Sequence, residues 1–462
     1  MKPSMWSRGG LCALLALMGT TTQARAQDPG VAEAATEDER WPPGPAPGTL
    51  DATFGSGGKV VTDISAGTDE AQAVAVQADG KIVVTGWALT GAGGTRDFAT
   101  VRYLPDGSLD TSFGSGGIVL TDFFGGNDLG SAVVVQRDGR IVVGGIVNNP
   151  GSLSDDFGLA RYNPDGTLDS TFGSGGRVVT DFDGRIDGIQ GLALQPNGRI
   201  VAVGNSFSGA TNHDFGIVRY RKDGRLDPSF GSGGRVLLDF FGGFDIASGV
   251  VLLPGCKLLV GGMVTRPGTG LDFGVVRLKE DGTLDTAYGS GGLAAADYTG
   301  LNDAGQAIAL APGGHVVVTG WADTGPGRFY DFGAVRFDKE GRPDSRFGVG
   351  GKTSVDFFFN QDLGEGIAVQ HDGRILVTGT VFNSTNWQYD MGLARLKRDG
   401  SLDTSFGEGG KVVVDFEEFP GTSEGALALV VQPDGDIVVV GNTGDDTNRA
   451  FAVARFVGGK RH

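Results

Sequence analysis

Twenty carboxylates recur in three columns along this chain, and they are the side chains best able to do chemistry. One column is Asp63, Asp122, Asp181, Asp239, Asp297, Asp356 and Asp415. A second is Asp69, Asp128, Asp187, Asp245, Asp303, Asp362 and Glu424. The third is Asp97, Asp156, Asp214, Asp272, Asp331 and Asp390. Clustered hard oxygens suit a divalent cation, with Ca2+ the expected ion, and the second column is the candidate metal set. The Ca2+-loop pattern DxDxDG is absent, so no single segment builds such a site. The same carboxylates could instead accept hydrogen bonds from loop amides, as Asp does in Asx turns. Carboxylate pairs also serve glycosidases, but a column repeated in every unit is not a unique active site. The four histidines, His213, His315, His371 and His462, form neither a metal set nor a nucleophile–base pair. No catalytic residue is assigned.

The columns are carried by a repeat. LDTSFGSGG at 109–117 recurs in seven variants, with aspartates Asp51, Asp110, Asp169, Asp227, Asp285, Asp344 and Asp403 spaced 59, 59, 58, 58, 59 and 59 residues apart. A fixed period near this length signals a repeat architecture. Within the first unit, short apolar runs at 58–63, 70–77, 81–87 and 97–103 alternate with turn signals such as Asp79-Gly80 and Pro105-Asp106-Gly107. Such runs argue antiparallel strands. Four strands in each of seven units predict a seven-bladed β-propeller, an all-β fold.

The phase of the blades follows from side-chain size. The innermost strand crowds the axis and needs small residues, so 70–77 is strand A, 81–87 strand B, 97–103 strand C and 117–122 the outer strand D. The last unit then has A at 425–432, B at 436–441 and C at 450–456, and no D. The surplus strand at 58–63 is predicted to complete that blade and to remove the free edges of the ring.

The pattern GG[KR]VV-D-F, AVAVQxDG[KR]IVVxG, DFxxxRYxPDGxLDxxFG resembles the delta-60 repeat family of bacterial secreted proteins over residues 50–457. Its strand order is similar to that of NHL propellers. The resemblance implies the β-propeller fold and brings no catalytic residue with it. Departures include Gly255-Cys256 for Asp-Gly, Tyr288 for Phe, Gly313 for Asp, and Ala450 where other units have Asp.

On this phase the A–B and C–D connections share one face. Phe54, Phe113 and their counterparts are expected to anchor each connector between blades. Arg102, Arg161 and their counterparts near the end of strand C are expected to pair with the connector aspartates. A residue needed in every repeat serves packing between neighbours. The D–A and B–C loops share the opposite face, which varies and collects the three acidic columns.

Function is expected where the repetition breaks. The residue after the strand-B glycine varies: Trp87, Ile146, Asn205, Met263, Trp321, Thr380 and Asn442. Blades five and six add Phe329, Tyr330, Phe358, Phe359, Trp387 and Tyr389. Trp321, Tyr330, Phe358 and Trp387 are expected to form a ligand patch, with Phe329, Phe359 and Tyr389 beside it and Asp331, Asp362 and Asp390 at its rim. Aromatic rings beside carboxylates suit stacking on sugars or anchoring a peptide.

Residues 1–26 read as a secretory signal: Lys2 and Arg8 precede the apolar run 11–18, and Ala24-Arg25-Ala26 offers a cleavage site. Eight apolar residues are too few to span a bilayer. Residues 27–49 read as an acidic, Pro-rich linker and 458–462 as a tail. The formal charge of −17 falls to −20 once Lys2, Arg8 and Arg25 are removed. That balance argues against nucleic acid and anionic membranes as partners. Only Cys256 would then remain, so no internal disulfide forms, and the thiol is expected to be buried. The reading is a secreted binding or surface-interaction module for an extracellular protein or glycan. A hydrolase or lyase acting on an extracellular polymer and a structural cell-envelope component are the alternatives.

Overall fold

The small-residue segments do become the innermost strands. In the computed structural model, which describes residues 45–90, 94–150, 154–182, 186–208, 212–325, 329–416, 423–445 and 447–459, strand A of the first blade is Asp69–Val76. It pairs with B (Ile82–Leu89), B with C (Arg96–Tyr103), and C with D (Ile118–Thr121), all antiparallel. Seven such four-stranded sheets form a β-propeller. Each strand A touches the strand A of the next blade, and the last of them, Gly425–Val431, touches Asp69–Val76, so the ring closes. Among the described residues the helical turns are two 3-10 turns, Pro254–Cys256 and Pro312–Gly314.

Closure follows the expected route. The seventh blade pairs Gly425–Val431 with Ile437–Gly444, then with Arg449–Phe456, and finally with the N-terminal strand Lys59–Thr62. Lys59 lies opposite Ala454 and Thr62 opposite Phe451. The end of the linker joins the ring as well: the Gly407 amide donates to the Pro47 carbonyl at 2.9 Å, and the Gly48 amide to the Val457 carbonyl at 2.8 Å. Residues 1–44, where a signal segment and most of the linker are expected, lie outside the described residues, as do 460–462 of the expected tail.

Three details depart from the sequence reading. Every strand A carries a β-bulge near its start, between Ala71 and Ala73 in the first blade and between Ala426 and Ala428 in the last. The glycine of strand B makes room for it, since a Cβ on Gly86 would lie 1.8 Å from the Glu70 carbonyl oxygen. His213 belongs to strand C of its blade (Asn212–Tyr220) and not to a loop. Cys256 is half-buried, not buried, because it lies in the 3-10 turn between strands A and B, none of whose residues is buried.

The core sits between blades. Phe113 of the first connector is buried with Val133, Ile141 and Tyr162 of the second blade. Burying whole aromatic rings this way supplies cohesion where the described residues hold no disulfide.

Candidate functional site

The two faces use aspartate in opposite ways. On the connector face each aspartate meets cations. Asp227 Oδ2 accepts from Arg219 Nε at 2.8 Å and from Arg199 Nε at 2.9 Å. Arg219 also donates to Ser229 Oγ at 3.0 Å and to the Glu280 carbonyl of the next blade, while its guanidinium lies 4.6 Å from the centre of the Phe230 ring. The other six connectors repeat the cation–ring stack at 4.4 to 4.7 Å. The glycine after each ring is bent to suit: Gly114 has φ +54°, and a Cβ there would lie 2.4 Å from the Ile118 carbonyl. The pairing of the strand-C arginines with the connector aspartates matches expectation. A second partner stands at the first residue of strand B or just before it, beyond the expected arginine. It is Lys81, Arg140, Arg199, Lys257, His315 and Arg374 in the first six blades. Its signal is visible in the sequence as a Lys, Arg or His after the A–B turn of those six blades.

Burial alone would raise these carboxyls, but donors and positive charge outweigh it. Asp169 and Asp227 are held below the usual carboxylate range by the hydroxyl and amide two residues on and by their arginines. Asp344 is brought down to about 2, first by the Arg346 hydrogen bond and then by the Arg346 amide and the Arg336 charge.

On the opposite face the three acidic columns converge. The aspartate opening strand C, the one closing strand D and the one entering strand A of the next blade come together in triads. Among the described residues five are formed: Asp97, Asp122, Asp128; Asp156, Asp181, Asp187; Asp214, Asp239, Asp245; Asp272, Asp297, Asp303; and Asp331, Asp356, Asp362. In each, one carboxylate oxygen or more per residue lies within 4.8 Å of the others. Burial first, then the charges of the other two acids, pushes Asp128 up to about 6 and Asp187, Asp245, Asp303 and Asp362 up to about 7.

The candidate metal column is therefore only one third of each cluster. Of its seven members, Asp128, Asp187, Asp245, Asp303 and Asp362 enter triads. Asp69 does not: Ala450 stands where the strand-C acid would be, and Ser65 Oγ and the Ile64 and Ser65 amides occupy its oxygens. Glu424 is outside these triads and accepts from Thr443 Oγ1 at 3.0 Å. Loop amides also use the acids, as the Asx-turn alternative required: Phe357 donates to Asp362 Oδ2 at 2.7 Å and Phe359 to Asp356 Oδ1 at 2.6 Å.

The aromatic group is split by the structure. Trp321, expected on the surface, is buried at 7% exposure. Its ring centre is 4.5 Å from that of Tyr330, and it packs with Ile246, Met263, Ala304 and Leu363 from three blades. The reason is its place in mid-strand B, where the varying column faces the seam between blades. Trp87 and Met263 of that column are likewise buried. Phe358 is half-buried against the core of the fifth and sixth blades. Tyr389 is half-buried, donates to Gln361 Oε1 at 3.1 Å and packs on Phe382. Asp331, Asp362 and Asp390 are buried and are not an open rim. Three rings stay outside: Phe359 at 91%, Trp387 at 77% and Phe329 at 55% exposure. Phe359 and Trp387 both have positive φ, +56° and +61°, an uncommon conformation for bulky side chains. The sequence reading missed Phe124, Ile186, Phe241 and Leu301, which are exposed on the D–A loops of other blades. Every one of them follows a strand-D aspartate within a few residues.

Six segments, 77–113, 136–172, 195–230, 257–288, 370–406 and 432–456, match the domain of unknown function (DUF5122) β-propeller. The match is to a β-propeller repeat family and coincides with the repeat described above. No curated protein is matched by the sequence. Among solved structures, the fold is similar to a catalytically inactive virginiamycin B lyase from Staphylococcus aureus with quinupristin, at 11% identity and a TM-score of 0.45, over 86% of this chain and 98% of that one. It is also similar to a polysaccharide lyase of family PL25, an ulvan lyase, at 14% identity and a TM-score of 0.44, over 88% and 94%. For Trypanosoma rangeli sialidase the values are 11% and 0.42, over 85% of this chain and 54% of that one.

Proposed function

We propose that the protein is a secreted binding module whose ligand, an extracellular protein or glycan chain, docks on the face built by the D–A and B–C loops. The observation that carries this reading is the exposure of Phe359, Trp387 and Phe329 on loops of two adjacent blades. Exposed rings in company mark interaction surfaces more often than isolated ones do. Two of the rings, Phe359 and Trp387, hold an uncommon left-handed backbone conformation that keeps them outside. Trp387 and the half-buried Tyr389 both pack on Phe382. Trp321 is buried against Tyr330 and does not belong to the contact surface.

The test is a glycan array together with a pull-down from extracellular protein, followed by variants. Phe359→Ala combined with Trp387→Ala should lower affinity at least about tenfold, as loss of an aromatic anchor does, with the melting temperature unchanged. Trp321→Ala should instead lower the melting temperature, because it opens a cavity in a buried cluster. A double variant that binds like the parent removes this face from consideration.

A further inference from the structure

We propose that the carboxylate triads at the blade seams are divalent-cation sites, with Ca2+ the ion that fits, fastening strands C and D of one blade to strand A of the next. This does not depend on which ligand the loop face takes.

The geometry admits an ion of Ca2+ size. Two oxygens on one cation can be no further apart than twice the metal–oxygen distance. That limit is roughly 4.6–5.2 Å for Ca2+ and roughly 4.0–4.2 Å for Mg2+. The triad oxygens lie within 4.8 Å of one another. Three carboxylates converging from separate elements leave further positions for water or backbone oxygen, as Ca2+ requires.

Hydrogen bonding leaves acceptors over. Asp362 Oδ2 takes the Phe357 amide, while its Oδ1 has no hydrogen bond of normal geometry and only weak support from the Phe382 amide, although the residue is 0% exposed. Asp272 is plainer: Oδ2 takes Thr269 Oγ1 at 2.7 Å, and Oδ1 has no partner at 0% exposure. A buried carboxylate oxygen without a donor is costly, and two more carboxylates stand beside each of these. A cation answers that surplus. The chain itself supplies one in the triad of Asp272, where Arg266 pairs with the carboxylate at 3.0 Å.

The experiment uses the full chain stripped with chelator at neutral pH. Bound ions are counted by native mass spectrometry, affinity is read by calorimetry, and unfolding is followed with Ca2+ or Mg2+ at matched ionic strength. More than one Ca2+ per chain is expected, with dissociation constants of about 0.1–1 mM, the range of extracellular Ca2+ modules. The melting temperature should rise by several degrees with Ca2+ and less with Mg2+. Asp362→Asn should remove one bound ion. If that variant does not fold, Asp122→Asn, at the exposed corner of its own triad, should do the same. No binding at millimolar Ca2+, an equal response to Mg2+, or variants that keep the full count would each overturn the proposal.

Discussion

The same residue type holds the ring together on one face and strains it on the other. Asp227 sits between Arg199 and Arg219 and titrates low. Asp245 sits beside Asp214 and Asp239 and titrates high, at about 7. Both are buried. Burial therefore does not decide the outcome; the sign of the neighbouring charge does. The connector face is self-sufficient, because each of the seven motif aspartates has a strand-C guanidinium waiting. The loop face gathers acids without an equal supply of bases, and so depends on protons or on cations from outside. That division matches the sequence: the connectors are nearly identical from unit to unit, while the loops differ.

The sharpest way to break the comparison is to remove the closure. Residues 45–64 supply the last outer strand, the seventh connector ring Phe54 and the Asp51 partner of Arg455. Deleting them leaves a full strand edge and an unpaired arginine. The melting temperature should fall by about 5 °C or more, since a domain of this size loses about 1 °C per kcal/mol, and light scattering should show association through the open edge. A deletion variant as stable and monomeric as the parent would contradict the closure. Next in size is Asp227→Ala. It leaves the buried Arg219 without its carboxylate, and breaking such a pair costs about 3–5 kcal/mol. Chemical denaturation should show the loss. Asp227→Asn should cost less but keep the same sign.

The propeller was legible because its signals are local and repeated: an Asp-Gly turn, an apolar strand and a small-residue strand recur in each unit. Closure was legible as an arithmetic surplus of one strand at the N-terminus. The bulge beside Ala71 was not, since it is a backbone register shift, though the glycine that recurs in strand B, Gly86 in the first blade, was its trace. At the site, the three acidic columns were visible but their convergence was not. It needs the strand-A acid of one blade to meet the C and D acids of the blade before. Trp321 failed for a related reason. Variation along a strand says that neighbours differ, not that the side chain faces solvent, and here the neighbours are those of the adjoining blades.

Acid titration separates the two faces. A carboxyl whose folded value is lowered stabilises the protein above its unfolded value, and that stability is lost as the pH falls through the folded value. Asp344 at about 2, with Asp169, Asp227 and Asp403 also lowered, belongs to this class. Below about pH 4 triad acids such as Asp245 and Asp303, already protonated in the folded state, become protonated in the unfolded state as well, so their opposing slope fades towards about pH 3. Stability measured between about pH 3 and pH 2 should therefore fall steeply and report the connector face. Replacing Arg346 with Ala should move that acid limb to higher pH, because Arg346 is the first of the groups holding Asp344 down. An acid limb left in place by the substitution would mean that the other partners of Asp344 suffice.

The smallest effect is the most discriminating, because its sign should reverse. Asp122 is the exposed member of its triad, and its Oδ1 accepts the Gly125 amide, a role an asparagine oxygen can keep. Asp122→Asn thus removes a charge beside Asp97 and Asp128 with little change in packing. Two unit charges about 4.8 Å apart repel by about 0.9 kcal/mol even in water. In chelator at pH 8, where Asp128 is above its raised value of about 6, the substitution should stabilise the protein by a few tenths to about 1 kcal/mol. At pH 4.5 Asp128 is protonated in the folded state and the gain should vanish. In millimolar Ca2+ the variant should be the less stable protein, since it has lost an anionic ligand. The corresponding change on the connector face, Asp227→Asn, should destabilise under all three conditions. A destabilised Asp122→Asn in chelator at pH 8 would show that the triad acids are fully served by loop hydrogen bonds, and the contrast between the two faces would then be one of degree.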